Sequence, residues 1–425
     1  MRSYFYLILF TLFIYTTCYS SGNNPSEKKS AQLLCVTQAT QALSNWNDYL
    51  RNDLSALHQD GWAIYSIGLD QKNAFAIHVG KRSLGSYFIR SGKIENGILL
   101  LKDAARYFQR AGNYEVLTET LNEIGNGYVY QSESGKAIPF FLQSLKVGEK
   151  SNDPTSSFLA EINLAQAYMQ LKEYDKANAL LLDYKNKALQ YNKFEAVSSA
   201  YALLGSLAQL QEKAPLAKEF YLKSASFGFR SKANGLIGQA YTNYAIALFL
   251  ESNFNLAKIY FERALKFRLK TKNSRSIAES YYNLGDFYTQ LEQFSKAIYF
   301  FEKSYKISEE NELFQDQIDA LNSINELYKQ TNNTKKQLET VQLLVKCQEQ
   351  KLNKKMSLTL QDAEMEQLLI KDKFQQQMQI STNRLHSQIS EKNDLIRLFF
   401  MIFGCFFFGA IIFIANQSIQ ASRKN

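Results

Sequence analysis

The chain has 425 residues, 46% of them hydrophobic and 14% aromatic, with four prolines and a net charge of +9. This balance excludes a disordered or collagen-like chain and suits a folded helical protein with a large, elongated core.

At the amino end, Arg2 precedes an apolar run from Tyr4 to Tyr15 and then the small polar residues Thr16, Thr17, Ser20 and Ser21. The pattern predicts a secretory signal over residues 1–20. Cleavage near Ser20, lipidation of Cys18 and retention as a short anchor all give one orientation, with the following chain outside the cytoplasm. Residues 31–76 show helical spacing around Leu33, Leu43, Trp46, Leu50, Leu54 and Leu57 and read as a helical N-terminal cap.

From 77 to 350 the chain repeats itself every 40 residues. Small or polar pivots fall at Gly85, Gly125, Ala165, Gly205, Ala245, Gly285 and Asn325. Twelve residues past them stand Gly97, Ala137, Ala177, Ala217, Ala257, Ala297 and Gln337, and sixteen past them Leu101, Phe141, Leu181, Tyr221, Phe261, Phe301 and Val341. A fixed period of this kind predicts a solenoid. In the sixth unit, Tyr281, Leu284, Tyr288 and Leu291, and then Ile298, Phe301 and Tyr305, recur at three- and four-residue intervals. The break between these amphipathic segments fits only an antiparallel helical hairpin, with Phe294 in the turn. Small residues at 285 and 297 let the two helices cross closely. Pro139, Pro154 and Pro215 fall at or near predicted helix starts, where a missing amide hydrogen is harmless. A hairpin buries both its apolar faces only when the next one stacks on it.

These residues resemble the tetratricopeptide repeat family. Asn283-Leu-Gly-Asp-Phe-Tyr, Phe294, Ala297, Phe301 and Ser304 occupy that family's signature positions, and Asn243-Tyr-Ala-Ile-Ala-Leu, Phe254, Ala257, Phe261 and Ala264 nearly do. The chain departs from the common form in its longer period and in lacking the closing proline. The resemblance implies an all-α protein, an α-solenoid of about seven helical hairpins in a right-handed superhelix. The degenerate seventh unit reads as a cap. The resemblance also implies that the position two before the pivot, occupied by Asn163, Asn243 and Asn283, lines a concave groove and hydrogen-bonds an extended peptide. The alternative is that these asparagines bridge adjacent helices.

Residues 351–397 contain neither Gly nor Pro and predict a helical stalk. Met378, Leu385, Ile389 and Ile396 form part of a heptad seam that Lys392 interrupts, so a dimeric coiled coil and a single solvated helix both stay open. Leu398 to Ala415 is free of charge and would span about 27 Å as a helix, which predicts a transmembrane segment. Residues 416–425 become a short cytoplasmic tail, with Arg423 and Lys424 on the expected side.

Between Glu212 and Arg275 there are twelve Lys or Arg against four Glu. Most lie on second helices or the loops after them, giving either a solvated outer face or a surface for an acidic partner or anionic lipid headgroups. A nucleic-acid partner is not expected of an exported domain. Cys35 and Cys347 are too far apart in sequence to suggest a metal or redox motif, although a bridge stays open. His58, His78 and His386 share no ligand spacing. Gly92-Lys93 and Gly135-Lys136 lack the upstream glycine of a phosphate loop. No metal, cofactor or catalytic residue is therefore expected. The layout predicts a scaffold or sensor module on a bacterial inner membrane, with its repeats in the periplasm and a peptide or protein ligand. It is similar to the sensor half of bacterial signalling proteins, which leaves open a subunit whose kinase or DNA-binding output lies in another chain.

Overall fold

A computed structural model describes residues 25–422 apart from 53, 152–154, 156 and 272, with side chains described mainly over 30–354. Among the described residues all regular structure is helical. A first pair, α1 (Pro25–Asn52) and α2 (Leu54–Asp70), precedes seven hairpins. These are α3 (Ala74–Ser91) with α4 (Ile94–Arg110), α5 (Tyr114–Tyr130) with α6 (Ser134–Gly148), and α7 (Phe158–Gln170) with α8 (Tyr174–Gln190). Then follow α9 (Phe194–Leu210) with α10 (Ala214–Ser231), α11 (Asn234–Leu250) with α12 (Phe254–Arg268), α13 (Ser274–Gln290) with α14 (Phe294–Glu310), and α15 (Phe314–Gln330) with α16 (Thr334–Ser422). Contacts divide the chain into a unit Met1–Glu349, which holds the described core clusters from Cys35 to Cys347, and a unit Gln350–Asn425, helical as far as Ser422.

The 40-residue rule has a steric origin that the structure makes explicit. A Cβ on Gly125, Gly205 or Gly285 would come within 2.3, 2.5 or 2.6 Å of the Phe141, Tyr221 or Phe301 ring sixteen residues later. In the third hairpin the partner is the smaller Leu181, and Ala165 is tolerated in the same core cluster. Ala245 opposite Phe261 in the fifth hairpin shows that the match of size is a tendency. At Gly85 the carbonyl of Gly97 and the Leu101 side chain both stand within 3 Å of the missing Cβ, so two backbones touch there. Ala137, Ala177, Ala217, Ala257 and Ala297 are all fully buried at the same crossings. The seventh hairpin breaks the rule, since Val341 is 38% exposed, as suits a terminal cap.

Turns are equally regular. Among the described residues left-handed positions fall at multiples of 20 from one another, at Lys72, Gly92, Gly112, Ser132, Lys172, Asn192, Glu212, Lys232, Ser252, Glu292, Glu312 and Asn332. At all of these turns but that of Gly92, two backbone amides reach back into the last helical turn. Glu292 N donates to the Thr289 carbonyl and Gln293 N to that of Tyr288, both at 2.9 Å. This is the paired bond of a Schellman motif, whose left-handed residue is usually glycine. Glu292→Gly should therefore raise stability by about 1 kcal/mol, because a side chain in that conformation costs roughly that much. Asn332→Gly should change little, since asparagine tolerates the conformation. Thermal melts of the two variants check the contrast.

The first pair of helices keeps this phase. Helix α2 starts at Leu54, 40 residues before Ile94, although the residue signature is missing there. Two details differ from expectation. Phe294 opens α14 and packs half-buried in the core instead of sitting in a turn. Pro139 lies inside α6 rather than at its start, whereas Pro215 sits in the first turn of α10 as expected and Pro154 is outside the described residues. Cys35 and Cys347 are buried in separate clusters and are not bridged to each other. The predicted signal over 1–20 lies outside the described residues. Among the described residues no helix is long and apolar enough to cross a membrane, and most side chains of the predicted span at 398–415 fall outside that set. In the stalk, Met378, Leu385 and Ile389 are exposed.

Candidate functional site

First helices of neighbouring hairpins pack directly on one another along much of the first unit, α1 on α3, α3 on α5, α5 on α7, α7 on α9 and α9 on α11. They form the inner layer, and the second helices form the outer one. A residue two before the pivot and others three and seven later share one helix face. In the third hairpin these are Asn163, Gln166 and Gln170.

A cleft of about 600 Å³ opens on that inner layer between α5, α7 and α9. Asn126, Asn163, Gln166, Gln170 and Ser206 give its lining polar groups, and Val129, Met169, Leu203 and Leu210 interleave apolar ones from the same helices. Lys172 is the only charged residue that lines it. Side-chain amides offer donors and acceptors together, which matches the alternating N–H and C=O groups of an extended peptide. The cleft's volume has room for a side chain of such a ligand.

Asn163 does two things at once. Its Nδ2 donates to Asn122 Oδ1 and Asn126 Oδ1, each at 3.0 Å, bridging α7 to α5. It also lines the cleft. The two readings of this position thus meet in one residue. Asn243 and Asn283 hold the equivalent place on α11 and α13, half-buried and outside this cleft. Gln170 is fixed by the Ser134 hydroxyl. Of the cleft residues only Asn163 was expected; Gln166 and Gln170 follow it at helical spacing, whereas Asn126 and Ser206 stand three residues past Glu123 and Leu203 on neighbouring first helices, where no asparagine marks the position.

Nearer the amino end the inner layer carries buried charge. Arg82 is fully buried, its Nη2 donating to Glu119 at 2.6 Å while its guanidinium stacks 3.7 Å from the Trp46 ring centre. Asn47 Nδ2 donates to the other Glu119 oxygen at 3.0 Å. Arg90 pairs with the buried Glu123. Burial pushes the Arg82 guanidinium below its ordinary value and Glu119 works against that shift. Farther along, burial pushes the Asp286 carboxyl up on α13. Among the described residues no three His, Cys, Asp or Glu side chains gather as a metal site would require.

Residues 236–310 match the family model described as tetratricopeptide repeat. No curated protein matches the sequence. Among solved structures, a Rap protein complexed with Competence and Sporulation Factor aligns with a TM-score of 0.52 at 13% identity, over 81% of this chain and 92% of that one. The apo form of the quorum sensor NprR from B. thuringiensis aligns with a TM-score of 0.50 at 14% identity, over 74% and 87%. At such identities the likeness concerns the fold. Hairpin geometry, the size match at most crossings and the family model over residues 236–310 agree: the repeats are tetratricopeptide repeats.

Proposed function

We propose that this protein is a membrane-anchored interaction scaffold or sensor module that takes a peptide or protein partner on the inner face of its repeats. The observation that carries the reading is the cleft between α5, α7 and α9, whose lining mixes side-chain amides with aliphatic groups. Such a surface suits binding and holds no nucleophile paired with a base. The anchor rests on the sequence alone, on the apolar run Tyr4–Tyr15 and the uncharged stretch Leu398–Ala415. With that topology the cap at 31–76 and the repeats at 77–350 face the periplasm of a bacterial cell, and the stalk at 351–397 links them to the inner membrane.

A sensor subunit working with a separate output chain is the second reading. It is favoured by the shared fold with NprR, described as a quorum sensor, and with a Rap protein bound to its factor.

Selection of linear peptides from a random display library on the purified chain tests the binding site. Selected peptides should lose about tenfold or more in affinity on Asn163→Ala, which removes an amide from the lining, and on Leu210→Asp, which puts a charge among its apolar groups. Peptides that bind both variants as well as the parent would place the ligand elsewhere.

A further inference from the structure

Three successive turns on the outer edge, α8 to α9, α10 to α11 and α12 to α13, join into one surface. Arg230, at the end of α10, lies 4.0 Å from the centre of the Phe194 ring at the start of α9. Its neighbour Phe229 packs edge-on against Phe267 near the end of α12, with ring centres 5.2 Å apart. Residues 189–194, 227–234 and 264–273 contain seven Lys or Arg and no Asp or Glu.

Nine of the twelve cations between Glu212 and Arg275, together with Lys193, fall into two sets. Lys218, Lys223, Lys258, Arg268 and Arg275 pair with Glu251, Glu219, Glu262, Glu279 and Asp316. Lys193, Arg230, Lys232, Lys266 and Lys270 are exposed at the three turns and have no acidic partner among the described residues. Compensation of helix dipoles would put cations at the end of every second helix. The next one, α14, ends instead in Glu309, Glu310 and Glu312, so the patch has a boundary that the dipole does not explain.

At or beside each turn one large apolar side chain is partly exposed near the cations, Phe229 with one edge of its ring still packed on Phe267. Tyr191 is 41% exposed, Phe229 47% and Leu269 50%. Cations that meet phosphates, flanked by apolar tips that enter the headgroup region, are what a peripheral membrane surface requires. An acidic protein would satisfy the cations and leave the row of tips without a role. We propose that this edge is a docking surface for an anionic phospholipid membrane.

The fragment 25–349 suits the test, since the unit that ends at Glu349 holds its own core clusters. It is to be sedimented with vesicles of phosphatidylcholine alone and of phosphatidylcholine mixed with phosphatidylglycerol. The fragment should pellet with the mixed vesicles only, and less so as salt rises. Arg230→Glu with Lys270→Glu should weaken binding about tenfold or more. Lys296→Glu with Lys303→Glu, an equal change of charge on α14, should leave binding nearly unchanged. Phe229→Ser with Leu269→Ser should abolish the part that survives high salt. Circular dichroism verifies folding, and Arg230→Gln with Lys270→Gln replaces the reversal if that variant is unfolded. Equal loss in the Lys296 and Lys303 control, equal pelleting on neutral vesicles, or binding of polyglutamate with no vesicle binding would each overturn the proposal.

Discussion

Gly285→Leu is expected to destabilise the repeats by about 3 kcal/mol or more, because even a Cβ at this position would stand 2.6 Å from the Phe301 ring. The ring cannot yield easily. Phe301 is 1% exposed and shares a core cluster with Leu284, Phe287, Tyr288 and Leu327 from two other helices. The clash must therefore move α13 away from α14, and with it the stacking of the neighbouring hairpins. A melt of the 25–349 fragment should show the midpoint falling by several degrees. The size match offers a sharper form of the test. Gly285→Ala alone should cost stability, whereas Gly285→Ala with Phe301→Leu recreates the Ala165 and Leu181 pairing of the third hairpin and should recover much of that loss. Additive losses in the double variant would mean that ring and pivot do not compete for one space.

That same size match is why the repeats were legible. A crossing fixes a small residue at the pivot and at twelve beyond it, and an apolar one at sixteen, so geometry prints itself on the sequence at constant spacing. The first pair of helices obeys the spacing but hides the print. Leu57 stands where other units have alanine, and Gly61 where they have a large apolar residue. Leu57 is buried, and a Cβ on Gly61 would meet Ser83 Cβ at 2.9 Å, so large and small have changed places along α2. A search for matching residue types fails where a search for matching helix lengths would succeed.

The cleft was legible only in part. Asn163 follows from one repeat considered alone, but the cleft needs three first helices side by side, and Asn126 and Leu203 reach it from different repeats. Its lining is mixed because the same structural position carries different residues in successive units. The position two before the pivot holds Glu123, Asn163 and Leu203 in α5, α7 and α9. A consensus averages out the variation that would select a ligand. The basic edge shows the same limit, since the number of cations was evident from the sequence while their division into paired and unpaired sets needed the folded chain.

The buried ion pair at the amino end gives the second large effect. Glu119→Ala should cost about 3–5 kcal/mol, because it leaves the fully buried Arg82 cation without its carboxylate. Nε and Nη1 of Arg82 already have no hydrogen-bond partner among the described residues, so little else is available to compensate. The Trp46 ring stacks on the guanidinium and would stay behind as its main support. Arg82→Met with Glu119→Leu removes both charges and fills similar space, and it should come close to the parent in stability even though it deletes the contact twice over. The array confines the damage. Each hairpin touches only its neighbours, so hydrogen exchange in Glu119→Ala should quicken in α1, α3 and α5 while α13 and α15 keep their protection. If the double substitution falls as far as Glu119→Ala, the pair contributes to stability through its attraction and not merely through avoiding an orphaned charge.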